Sequence, residues 1–169
     1  MADYIEDGRC KYDYICITLD SHPENHMSFK ENGGIWPEHC VIHTSGWVIP
    51  EYLNKILFDD GLLSLTQIYD RKVCFYHKGT ESNKEEYSIF DNSEDGQVLA
   101  NQILDIFKEE YVGIDVCGIA GDYCVLETIK GLRKFMGDKY ITVLTEYTAS
   151  IDGGEKLMNY IKENDLNYK

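Results

Sequence analysis

The chain has no long hydrophobic run. Nothing in its 169 residues approaches the roughly 18 consecutive apolar residues that cross a bilayer, so a membrane role has no support. Basic charge is also scarce. There are 16 Lys and Arg against 30 Asp and Glu, a net charge of −14. That sign repels phosphate backbones and anionic lipid, which argues against nucleic acid or membrane partners. No CxxC pair occurs among the six irregularly spaced cysteines, which read as reduced thiols of a cytoplasmic protein. The opening stretch, MADYIEDGRCKYDY, is charged and carries no signal-peptide core. GxGxxG, GxxxxGK[ST] and GxSxG are missing, so dinucleotide, P-loop and serine-hydrolase readings fall away. Repeats and low-complexity segments are not visible.

Apolar strand-like runs alternating with amphipathic segments are what the sequence does contain. YICITLD (14–20), KVCFYHK (72–78), VGIDVCGIA (112–120) and KYITVLTEY (139–147) read as strands. Helices are expected over 50–60, 96–110, 123–137 and 154–164, the second with Leu99, Ile103, Ile106 and Phe107 on one face. The near-continuous apolar run at 112–120 suits a parallel strand covered on both sides. The length allows one domain with a real core, 1–169. The pattern predicts an α/β protein, a three-layer sandwich with helices on both faces of a mostly parallel sheet.

In such folds ligands bind outside the carboxyl ends of the strands. Three chemically potent stretches land at that edge. DSHPENH (20–26) follows the first strand, and Asp20 and His22, two residues apart on an extended chain, share a face. His26 follows in a loop, and His39 in GGIWPEHC can join the set. One carboxylate with imidazoles suits Zn, Fe or Mn rather than Ca or Mg. The competing reading is a polar loop with incidental histidines. His43 and His77 read as structural. Lys78 ends the second strand, where it is either a solvated charge or a cation that steadies a neighbouring thiolate. Cys124 follows the third strand across a short turn and opens a helix, whose N–H groups and dipole favour a thiolate below the usual pKa of about 8.5. Cys16, Cys74 and Cys117, inside strands, read as core thiols.

TLDSHPENHMSF, GGIWPEHCVIHTSG, HKGTESNKEEYSIF and CGIAGDYCVLETI together resemble the nicotinamidase branch of the isochorismatase-like cysteine hydrolases, in that family's order. The resemblance runs from about residue 12 onward and implies the isochorismatase-like, Rossmann-like fold. It implies a metal bound by Asp20, His22 and His39, with His26 as a fourth ligand. It implies Cys124 as nucleophile, Lys78 as catalytic lysine, and Trp36 and Tyr87 flanking the substrate ring, with Phe90 as packing. It implies a cis bond between Ile119 and Ala120, and an oxyanion hole from the N–H groups of Ala120 and Cys124. Gly121 stands where the family more often has threonine. The implied cofactor is one divalent ion, zinc first, with iron or manganese as alternatives. The implied reaction is hydrolysis of nicotinamide, a small-molecule partner, to nicotinate and ammonia through a thioester. A homo-oligomer is compatible with this reading.

One family feature is not found. The catalytic aspartate that ends the family's first strand has no counterpart, and neither Asp13 nor Asp115 matches it. The chain reads as starting within the first helix, at ADYIEDG (2–8), so the first strand is expected to be missing and the sequence N-terminally incomplete. That gap motivates an alternative, a non-catalytic family member that binds metal and a pyridine ligand. A related cysteine hydrolase with another substrate is a further alternative. A non-haem iron oxygenase shares the two-histidine, one-carboxylate set, but such sites usually sit in all-β barrels.

Overall fold

The computed structural model describes residues 12, 14–58, 72–91, 94–109, 113–137 and 140–169. The helical stretch read at 2–8, Asp13 and the expected element ends at 59–60, 110, 112 and 139 lie outside the described residues. The chain forms two compact units, residues 1–85 and 86–169.

In the first unit, β1 (Tyr14–Asp20) pairs in parallel with β2 (Lys72–Lys78), with Asp20 opposite Lys78 in the register. Both strands were legible as apolar runs, and both end at the same level. The chain leaves β1 into a long loop that folds back on itself. His22 bridges to Val41 and Phe29 to Trp36. The turn between Phe29 and Trp36 needs glycine twice. Gly33 is left-handed, at φ +91, and a Cβ on Gly34 would stand 2.1 Å from the Ser28 carbonyl oxygen. A helix, α1 (Glu51–Phe58), follows the loop. Cys16, expected in the core, is exposed, and Cys74 is half-buried.

The second unit is built on a parallel sheet in which β4 (Ile141–Val143) lies between β3 (Ile114–Val116) and β5 (Asn167–Tyr168). Two strands are shorter than their apolar runs. Gly118, at φ +143, turns the chain after β3, so that Ile119 makes only an isolated bridge to Ala149. After β4 a 3-10 turn, Thr145–Tyr147, forms, and the Thr148 hydroxyl donates to the Leu144 carbonyl at 2.8 Å. Among the described residues this unit also holds the helices α2 (Glu94–Glu109), α3 (Leu126–Met136) and α4 (Glu155–Glu163).

The core of this unit follows from periodicity. α3 contributes Leu126, Ile129 and Leu132, α4 contributes Leu157 and Ile161, and β4 contributes Ile141 and Val143 on either side of Thr142. Ile129 is wholly buried, so truncation to alanine there would cost about 2–5 kcal/mol. Phe90 presses on α3 at Gly131, where an added Cβ would lie 2.6 Å from the Phe90 Cβ. Phe90 is therefore a packing residue, as the YSIF match implied. α3 ends on Gly137, at φ +72, whose N–H donates to the Arg133 carbonyl. At the start of α4 the Asp152 carboxylate accepts from the N–H groups of Gly154 and Lys156, each at 2.8 Å.

Candidate active site

Asp20, the last residue of β1, and His22, just beyond it, project to one side, and His39 reaches them from the returning loop. One donor atom from each lies within 4.8 Å of the others. The two imidazoles are tied in the same way. His22 Nδ1–H donates to the Gly79 carbonyl at 2.8 Å. His39 Nδ1–H donates to the Pro37 carbonyl at 2.8 Å. A carbonyl only accepts, so each bond fixes the proton on Nδ1 and leaves the Nε2 lone pair for a metal, the usual outer support of a metal-binding histidine. Burial pushes the His22 pKa down, which keeps the ring neutral, the form that ligates. One carboxylate and two imidazoles fit a divalent ion of the zinc, iron or manganese type.

His26 does not join them. Its ring lies 4.1 Å from that of His22, centroid to centroid, but both nitrogens are engaged. Nε2–H donates to the Lys84 carbonyl at 2.9 Å, and Nδ1 accepts from the Ser28 hydroxyl at 2.7 Å. The expected fourth ligand is instead a buried, hydrogen-bonded wall behind the first three. Phe29, 2 % exposed, packs edge-on or tilted against His22, His26 and His39 at 5.4–5.7 Å. It closes the motif TLDSHPENHMSF but drew no role from the sequence.

Lys78 is buried, 3 % exposed, and its ammonium bonds Asp20 Oδ1. The solvated-charge reading of Lys78 is thereby excluded. Asp20 still has a second carboxylate oxygen to offer a metal. Gly79 was also missed. It is left-handed, at φ +62, and a Cβ there would sit 2.4 Å from His22 Cε1. The signal was the glycine after HK, and its meaning depends on a ring 57 residues earlier. Trp36 is half-buried in the returning loop. Its backbone N–H donates to the Ser28 carbonyl at 2.9 Å, and its own carbonyl accepts from the Lys30 N–H at 2.7 Å.

In the second unit Cys124 is half-buried and lies within a π-turn, Gly121–Val125, that leads into α3. The expected start of the helix at 123 is corrected to Leu126. The wider turn arises because the Val125 N–H bonds back five residues to the Ala120 carbonyl, at 3.1 Å. The Ile119–Ala120 bond is cis. Asp122, 2 % exposed, clamps the turn by accepting from the N–H groups of Ile151 and Asp152, at 3.0 and 3.2 Å. Gly121 is closely fitted: a Cβ there would meet Ser150 Oγ at 2.3 Å and Thr148 Cγ2 at 2.8 Å, so those side chains would have to shift to admit one. Tyr87 is half-buried, its ring 5.5 Å from that of Tyr123, the neighbour of Cys124. Burial raises the Cys117 thiol pKa, as suits an inert structural thiol. No helix among the described residues is long and apolar enough to cross a membrane.

No protein-family model matches the chain. Its curated homologues are nicotinamidases. That of Saccharomyces cerevisiae is 26% identical over 188 residues, covering 96% of this chain and 80% of the yeast protein. Among solved structures, the pyrazinamidase of Pyrococcus horikoshii in complex with zinc is 27% identical with a TM-score of 0.71, covering 99% of this chain and 81% of that one. The PnC1 protein of L. infantum in complex with nicotinate is 27% identical with a TM-score of 0.75, covering 99% of this chain and 78% of that one.

Proposed function

We propose, for a chain that is homologous to nicotinamidases and has the isochorismatase-like α/β fold, that it hydrolyses nicotinamide to nicotinate and ammonia through a thioester on Cys124. The observation that carries this reading is the convergence of Asp20, His22 and His39 with both Nδ1–H groups turned away. A polar loop with incidental histidines has no reason to tie two imidazoles in the same sense. The homologues support the reaction, and the zinc-bound neighbour supports a divalent metal.

When bound by Asp20, His22 and His39, a divalent ion, with zinc favoured over iron or manganese, supplies Lewis acidity to the substrate's ring nitrogen and to water. The remaining roles belong to side chains and backbone. Cys124 attacks the carboxamide carbon, and its proton leaves with the departing ammonia. The N–H groups of Ala120 and Cys124 hold the oxyanion. Lys78, a desolvated cation, steadies the negative charge of the reacting groups. Trp36 and Tyr87 flank the aromatic ring. Water then cleaves the thioester, giving nicotinate and restoring the thiol. Residues 1–169 belong in this scheme to a single catalytic domain, in the cytoplasm.

The test is ammonia release from nicotinamide by the purified chain and by Cys124→Ala. Turnover in the former, abolished in the latter, is the expected result. Full turnover in Cys124→Ala excludes the covalent route. Nicotinamide binding without any ammonia favours the non-catalytic, metal- and pyridine-binding reading instead.

A further inference from the structure

Ser21 stands between two of the proposed metal ligands and faces away from them. Neighbours on an extended chain alternate sides, so Asp20 and His22 share one side and Ser21 takes the other. There its hydroxyl is buried, 2 % exposed, with two partners. The Trp47 indole N–H donates to Ser21 Oγ at 2.7 Å. The hydroxyl is also hydrogen-bonded to His77 Nδ1 at 2.6 Å. Trp47 comes from the end of the returning loop and His77 from β2, and their rings lie 5.9 Å apart.

The backbone of this segment is held on both sides. The Ser21 N–H donates to the Lys78 carbonyl, and the His22 N–H to the Cys40 carbonyl, each at 3.0 Å. The Ile42 N–H returns a bond to the His22 carbonyl at 3.0 Å. These bonds fix where the segment lies. Rotation about its own axis is the freedom that aims Asp20 and His22, and a side chain on the opposite side opposes that rotation. We propose that Ser21 is a positioning residue of the metal centre, its hydroxyl held by Trp47 and His77 so that the Asp20 carboxylate and the His22 imidazole keep their aim. The proposal rests on the metal-centre reading above. Outer groups that orient metal ligands typically change metal affinity about 10–100-fold when removed.

The experiment measures zinc affinity by competition with a chromogenic chelator, well below the melting temperature of every variant. Ser21→Ala is expected to bind zinc about 10–100-fold more weakly, and Ser21→Thr, which keeps the hydroxyl, to stay near wild type. A purely structural serine would lower the melting temperature and leave affinity unchanged. Should Ser21→Ala fail to fold, Trp47→Phe removes the donor and keeps Ser21, and weaker zinc binding is again expected. Wild-type affinity in Ser21→Ala, or in Trp47→Phe where that variant stands in for it, overturns the proposal alone. A wild-type chain that binds no zinc, iron or manganese overturns the metal-centre reading and the proposal with it.

Discussion

Gly79→Ala isolates the contact that holds His22. Gly79 has φ +62, and an added Cβ would lie 2.4 Å from His22 Cε1 and 2.6 Å from Nδ1. Ordinary contact begins at about 3.4 Å, so the ring would have to retreat by about 1 Å, far more than the roughly 0.2 Å spread of zinc–ligand distances. That retreat also strains the 2.8 Å bond to the Gly79 carbonyl, which fixes the tautomer. Left-handed backbone costs a non-glycine residue roughly 1–2 kcal/mol, and the weakened hydrogen bond adds about 1 kcal/mol. A loss of about 2–3 kcal/mol corresponds to a melting temperature lower by roughly 5–10 °C in a chain of this size. Calorimetry on metal-free protein reads that loss, and chelator competition reads zinc affinity, expected to fall about 10–100-fold. Gly79→Asn separates the two causes, because asparagine tolerates the left-handed backbone but brings the same Cβ. Wild-type zinc affinity in Gly79→Ala would refute the reasoning. Affinity lost in alanine but restored in asparagine would assign the effect to strain and not to the contact.

Lys78→Met leaves the largely buried Asp20 carboxylate without its cation. Discounted for the residual exposure of Asp20, the loss is on the order of 2–4 kcal/mol, measurable by urea unfolding of metal-free protein. His26→Ala is expected to bind zinc within about threefold of wild type while losing roughly 2–4 kcal/mol of stability, since the ring is wholly buried and not a ligand; calorimetric titration showing loss of the zinc site would reverse that assignment. Dialysis against a chelator should abolish ammonia release, and restoration by zinc, iron or manganese would identify the ion; full activity at sub-stoichiometric metal, measured by mass spectrometry, would contradict the proposed centre. The Asp152 carboxyl is held below its ordinary pKa, first by the Lys156 N–H and also by the Gly154 N–H. Its stabilisation of α4 is present above the unfolded pKa and is lost as pH falls through the lower folded value. An NMR titration in which Asp152 protonates at or above the ordinary aspartate value would refute this.

Elements whose cause is local were legible. β1 and β2 are seven-residue strands built around apolar runs, and α3 and α4 repeat apolar residues every three or four positions. Elements whose cause is distant were not. The run at 112–120 looks uniform, yet Gly118 turns the chain within it. β5 is a two-residue exposed strand, Asn167–Tyr168, with no apolar alternation to announce it. Its place is set by β4, through the Lys169 N–H on the Val143 carbonyl.

The site divides along the same line. Asp20 and His22 share a face because two residues of extended chain bring them there, a relation that needs nothing beyond the strand. His39 needs the loop to return, and the His22–Val41 bridge that returns it lies outside any sequence window. Whether a histidine ligates is set by what its other atoms touch. His26 matches a ligand position, but the Lys84 carbonyl, 58 residues away, takes its Nε2–H and the Ser28 hydroxyl occupies Nδ1. His22 and His39 each spend one nitrogen on a carbonyl and keep the other. A motif records residue identity and order, whereas ligation depends on which lone pair is left over. Gly79 and Ser21 belong to the same class of fact. Each is unremarkable by type, and each takes its role from a ring in a distant part of the chain, His22 in one case and Trp47 and His77 in the other.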